Sequence, residues 1–178
     1  MSVDPWSVPV AVADVPEIGK RFDLTADERI RIALAGVAGV TEVLRLQAAF
    51  DVTRHGLNGL RVAGIVSATV KQYCVVTLEP LENQISESVD LIFAPEGAVL
   101  TKSDDEDDGA LLDEEPEFLR DGMVDLGAVA TEFLILGIDP YPRKPGSVFK
   151  PPQDQQDAAN RPFAALAALK KATPKQEG

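Results

Sequence analysis

Only one cysteine, Cys74, and one histidine, His55, occur in the 178 residues, and this scarcity removes several classes of chemistry. A single cysteine cannot build an internal disulfide framework and fits a reducing compartment. A structural zinc site needs about four Cys, His or carboxylate ligands, and only these two residues are soft ligands. With no second histidine and no recognisable nucleophile–base pair, a hydrolytic triad is unsupported. Lone cysteines usually act as small buried apolar side chains, so Cys74 is expected in the core and His55 in a polar turn. The start, Met1-Ser-Val-Asp-Pro-Trp6, lacks a basic stretch followed by an apolar run. No segment approaches the ~18 uninterrupted apolar residues of a membrane span, and the chain is expected to be cytoplasmic. Phosphate-cradling glycine patterns are missing too. No catalytic residue, cofactor or metal is expected.

Positive charge is also short. Formal net charge is −12, from 29 acidic and 17 basic residues. From Arg143 to Gly178, seven basic residues face three acids, so that segment carries +4 and residues 1–142 carry −16. Phosphate backbones repel such a body unless the cations are gathered. Nine of the fourteen residues from Asp104 to Glu117 are acidic. They lack the alternating ligands, central glycine and distant Glu of a calcium loop. A solvated acidic loop over 101–118 is expected.

What is present is a globular proportion of apolar residues, 45%, in two periodicities. Val8 to Phe22, punctuated by Pro9 and Pro16, reads as an edge strand or extended arm. Thr25 and Glu28 form a capping box ahead of Ile30, Ala33, Leu34 and Val37, one helical stripe ended by Gly36 and Gly39. Leu44, Leu46, Ala48, Phe50 and Val52 alternate with polar residues, as do Leu60, Val62, Val66, Ala68 and Val70. A two-residue turn at Asn58-Gly59 would put these two apolar sets on opposite faces. A three-residue loop, Leu57-Asn58-Gly59, keeps them together, pairing Gly56 with Leu60, Phe50 with Val66 and Leu46 with Val70. Gly59 then takes the left-handed position.

Ile85, Val89, Leu91 and Phe93 mark a further strand. Asp125 is placed to cap a second helix with the stripe Leu126, Val129, Ala130, Phe133 and Leu134, stopped by Gly137 and Pro140. The expected fold is α+β: an antiparallel curved sheet on a long central hairpin, two main helices packed on it, then a linker and short helix. The domain is expected over 1–142. A basic, proline-rich linker and a C-terminal helix, with Phe163, Leu166 and Leu169 on one face, follow over 143–178.

Glu132 is the one charged residue in Leu126–Ile138, a segment apolar on most sides. A buried carboxylate needs a donor, so Glu132 is expected to be partly buried and bonded, to a backbone N–H or a basic residue near the Tyr141–Lys144 turn. Tyr141, Arg143 and Lys144 then become candidate partner-binding residues. Phe163, Leu166 and Lys170 form a stripe that docks either on its own domain or in a partner's groove.

In order and spacing, several segments between Val62 and Pro142 resemble the YceD-like family, the large ribosomal RNA subunit accumulation proteins. They are Ala68–Tyr73 into Cys74, Val89-Asp90-Leu91-Ile92-Phe93, the acidic insertion, Asp125-Leu126, Glu132 and Asp139-Pro140-Tyr141-Pro142. Thr77-Leu78-Glu79-Pro80 and the closing Pro162–Lys170 segment look like its proteobacterial branch. Many members carry Cys-x-x-Cys where this chain has Cys74-Val75-Val76-Thr77. The resemblance implies a non-enzymatic role in ribosomal RNA accumulation, with precursor RNA or a ribosomal protein as partner. Cys74, Asp125, Glu132 and Pro142 are the family-motif residues. The competing expectation from composition is an acidic module that binds a basic protein through the Asp104–Glu117 run.

Overall fold

The computed structural model describes residues 5–56, 58–95 and 117–149. All its elements lie in the first of two units, Met1–Ser147. Seven strands and two α-helices follow in chain order among the described residues: β1 (Pro9–Ala11), β2 (Lys20–Thr25), α1 (Glu28–Ala38), β3 (Glu42–His55), β4 (Gly59–Tyr73), β5 (Pro80–Ala94), β6 (Glu117–Phe118), β7 (Met123–Asp125) and α2 (Leu126–Leu136). The architecture is α+β, with two helices and a mostly antiparallel open sheet ordered β2-β3-β4-β5-β6. Only β6 runs parallel to its neighbour, covering β5 at Phe93 and Ala94. The sequence did not suggest the second, two-stranded sheet, in which β1 pairs with β7.

Alternation puts one face of the sheet in the core. Leu46, Ala48, Phe50 and Val52 of β3 are buried with Leu60, Val62, Val66, Ala68 and Val70 of β4. Ile85, Val89 and Phe93 extend this face along β5. Two details of the expected register are corrected. His55 pairs with Gly59, Phe50 with Gly64 and Leu46 with Ala68, a shift of two residues that preserves parity and therefore the faces. The left-handed residue is Gly56, with φ of 59°, rather than Gly59. Gly59 is needed for another reason: a Cβ there would lie 2.6 Å from the carbonyl oxygens of His55 and Phe93. A register shift between Val43 and Arg45 turns Val43 inward, where strict alternation expected Leu44.

Helix α1 is capped by Asp27, which accepts from the Ile30 N–H at 2.8 Å. Thr25 is the last residue of β2 and does not cap. Only Leu34 of the expected stripe is fully buried; Ile30 packs beside it, while Ala33 and Val37 face solvent. Gly39 ends the helix at φ 66°, a conformation glycine adopts without a Cβ penalty. Helix α2 starts on Asp125 and stops at Gly137, as its sequence indicates. Its residues Leu126, Val129, Ala130 and Leu134 are buried, with Phe133 partly so.

Residues 96–116, most of the expected acidic loop, lie outside the described residues. The end of that run, Glu117–Phe118, is strand rather than solvated loop. The expected C-terminal helix with Phe163, Leu166 and Lys170 also lies outside them.

Candidate functional site: a sulfur-centred knuckle at the end of the sheet

Beyond Tyr73 the chain turns sharply through Cys74-Val75-Val76-Thr77-Leu78-Glu79 before re-entering the sheet at Pro80. The turn is closed from both sides. The Cys74 N–H donates to the Glu79 carbonyl and the Leu78 N–H to the Cys74 carbonyl, each at 2.9 Å. Leu78 sits at φ 59° with 74% of its surface exposed, a strained backbone position for a branched side chain.

The segment after α2 wraps this turn. The Val75 N–H donates to the carbonyl oxygen of buried Pro142 at 2.9 Å. Gln72 Nε2 donates to the Asp139 carbonyl at 2.9 Å, and Asn83 Nδ2 holds Gln72 from the other side. Lys144 Nζ meets Glu79 Oε2 at 2.9 Å. That bond is the main cause holding the Glu79 carboxyl below its ordinary value. Asp139 Oδ1 accepts from the Tyr141 N–H at 2.8 Å, fixing the turn that displays Tyr141.

At the centre lies the Cys74 sulfur, fully buried. It accepts the backbone N–H of Thr77 at 3.4 Å and that of Lys144 at 3.3 Å. The Lys144 N–H, followed by the bonds from Thr77, lowers the thiol from 9.0 to about 6, against the opposing effect of burial. Cys74 therefore joins two segments 70 residues apart and is more than the apolar filler that its isolation suggested.

A lowered thiol pKa favours the folded state above the unfolded value and ceases to do so below the folded one. This stabilisation is present above pH 9.0 and is lost as pH falls to about 6. Stability should thus rise with pH across that window, and Cys74→Ala should flatten the rise. Urea unfolding at several pH values checks this; parallel curves for the two proteins would refute a native thiolate.

Of the residues singled out by sequence, the knuckle brings together Cys74, Pro142 and Lys144, with Tyr141 and Arg143 exposed beside them. Asp125 serves a different place, the start of α2. The expectation for Glu132 is overturned: it is exposed and has no hydrogen-bond donor among the described residues. The helix explains this. Leu126, Ala130, Thr131 and Leu134 define the buried side, and at about 100° per residue Glu132 falls opposite its centre. The basic turn spends Lys144 on Glu79 instead. Gln72, Glu79 and Asp139 entered only as parts of the family segments and not as bonding residues, because nothing local in the sequence announces bonds across 65 or 67 residues.

The chemistry of the donor set does not fit a metal. Thr77 stands at the second position of the Cys-x-x-Cys pattern, and the one sulfur is already bonded by two N–H groups. Among the described residues, no group of three or more His, Cys, Asp or Glu is arranged to hold an ion. None of their helices is long and apolar enough to cross a membrane.

Fold and knuckle together define a small acidic α+β domain in which the segment after α2 is tied to the turn between β4 and β5. The chain belongs to the YceD family, described as the large ribosomal RNA subunit accumulation protein, whose model matches residues 62–170. The match covers the knuckle, β4 from Val62 on, β5, α2 and the Tyr141–Lys144 turn. No curated protein and no solved structure matches the chain.

Proposed function

We propose that the protein is a cytoplasmic, non-enzymatic factor that supports accumulation of large-subunit ribosomal RNA by binding precursor RNA or a ribosomal protein. The family match across 62–170 is the observation that carries this reading. Charge supports a division of labour between an α+β domain over 1–142 and a basic segment over 143–178. The first carries −16, so direct contact with RNA falls to the second, which begins beside Tyr141 with Arg143 and Lys144. The exposed Tyr141 and Arg143 support a reading in which a partner meets this turn.

Contacts of this kind release counterions. With about six of them, affinity falls roughly 10³-fold between ~50 and ~200 mM salt. Affinity purification of the full chain is expected to recover large-subunit precursor RNA at low salt. Deleting 143–178 should reduce that recovery at least tenfold, with circular dichroism checking that the domain stays folded after losing the Lys144 bonds to Cys74 and Glu79. Undiminished RNA recovery by the truncated chain would overturn direct contact through the basic segment. Recovery of a ribosomal protein after nuclease treatment would select the protein-bound form of the reading.

A further inference from the structure

The chain holds only two tyrosines, and both stand at the knuckle, one on each of the segments it ties together. Tyr73 ends β4 with 56% of its surface exposed, and Tyr141 lies in the wrapping segment with 71% exposed. Most other described aromatic rings belong to the core: Trp6, Phe50 and Phe93 are buried, with Phe22 and Phe133 packed against that core.

The backbone that carries the two tyrosines is fixed. The Val75 N–H bond to the Pro142 carbonyl joins their segments at 2.9 Å. Gln72 reaches the Asp139 carbonyl, and the Asp139 carboxylate holds the Tyr141 N–H. With consecutive Cα atoms about 3.8 Å apart, the path through the Val75–Pro142 bond keeps the two tyrosine Cα atoms within about 18 Å of each other. Two of the cations here are matched, Lys71 with Glu42 and Lys144 with Glu79. Arg143, exposed beside Tyr141, forms no ion pair among the described residues.

An exposed tyrosine offers a flat π-face to a base of any sequence, and a guanidinium beside it takes a phosphate. A duplex cannot use such rings. Its bases are stacked already, and it brings the phosphates of both strands to an acidic body. The family description names ribosomal RNA, and the basic segment that begins at Arg143 would hold the phosphates of a strand whose bases lie on the tyrosines.

We infer that Tyr73 and Tyr141 each stack an unpaired base of RNA, with Arg143 on a neighbouring phosphate. The knuckle then selects single strands, while the basic segment supplies the attraction. This role presupposes the RNA contact proposed above and adds to it a preference for unpaired bases.

Binding of the purified full chain is measured by fluorescence anisotropy against a labelled RNA of about 12 nucleotides, within the roughly 4–16 that such sites cover. The RNA is used single-stranded and annealed to its complement, and the single strand should bind at least tenfold more tightly. Tyr73→Ala and Tyr141→Ala should each weaken it at least fivefold, the lower end of what one stacked base contributes. Tyr73→Phe and Tyr141→Phe, which keep the ring, should stay within about twofold of wild type. Arg143→Gln should lower the slope of log affinity against log salt by about 0.7. Phe118→Ala, which removes an exposed ring on β6, should change nothing. On the wild-type chain, 4-thiouridine in the strand should cross-link to the peptides that hold Tyr73 and Tyr141, a readout independent of any variant. Equal binding of single strand and duplex, wild-type affinity in either alanine variant, or cross-links to neither peptide would overturn the stacking role and leave RNA contact through the basic segment standing. Loss of a co-purifying protein, with RNA retained, in the alanine variants would assign the tyrosines to a protein partner and overturn it equally. A wild-type chain that binds neither form of RNA would end both readings.

Discussion

Replacing Gly64 by alanine is expected to destabilise the domain by about 3 kcal/mol or more, at the upper end of overpacking effects, and Gly64→Val is expected to leave no folded domain. Gly64 lies in the middle of β4, opposite Phe50 on one side and Val89 on the other. A Cβ there would fall well inside contact distance of the Ala49 carbonyl oxygen, and 2.9 Å from the Phe50 Cα. Both obstacles are backbone of the paired strand, so no side-chain rotation relieves them. The strands would have to part where the largest fully buried side chain, Phe50, packs. Gly36 provides the contrast: it is a helical residue whose added Cβ meets nothing within 4 Å. Gly36→Ala should gain about 0.5–1 kcal/mol. Urea midpoints of the two variants should move in opposite directions; a wild-type midpoint for Gly64→Ala would disprove the close approach.

Asp125→Ala is expected to lose about 2–3 kcal/mol, more than the ~1 kcal/mol of an ordinary helix cap. Its carboxylate does two tasks. Oδ1 accepts from the Gly127 and Ala128 N–H groups at 3.0 and 3.2 Å, capping α2. The same oxygen accepts the Val8 N–H at 2.7 Å, and Oδ2 accepts Ser7 Oγ at 2.5 Å. Hydrogen bonds to a charged group are the stronger kind, and here they anchor the N-terminal arm. The arm carries Trp6, the only tryptophan and 5% exposed. Release of the arm should therefore shift its fluorescence to the red. Asp125→Asn, which keeps one carbonyl acceptor, should lose roughly half as much. An Ala variant with native fluorescence and native stability would show that the arm is held by packing alone.

Local signals in the sequence were reliable where one residue type meets one local need. Gly39, Asp125 and Gly137 end or begin helices as their chemistry requires, and alternation assigned the faces of β4, and of β3 beyond the shift at Val43–Arg45, correctly. Errors arose where two residues could do the same job. Thr25 and Asp27 are both good caps, and the choice fell to Asp27 because Thr25 continues the β2 ladder opposite Gln47. Gly56 and Gly59 could each supply a left-handed residue with the same parity. The decision came from β5, whose Phe93 carbonyl leaves room only for hydrogen at position 59.

Glu132 misled because the amino-acid types around it are apolar almost all round, whereas burial follows what the helix faces. Ile135 and Leu136 are exposed beside it. The knuckle was marked by family likeness but not by physics. The donor that holds the Cys74 sulfur from outside its own turn is a backbone N–H, which any residue at position 144 except proline would supply.

The long flank of β5 beyond Phe93 and Ala94 has a consequence for the behaviour of the protein in concentrated solution. Among the described residues only β6 pairs there, and only at those two positions. An unpaired ladder invites another sheet to join it. Along this one stand Glu82 and Glu87, after a proline at position 80. Two copies approaching flank to flank would press carboxylates together while one end of the ladder lacks its N–H donor. The acidity of the body thus works against sheet-to-sheet growth, an office that concerns crowding rather than recognition.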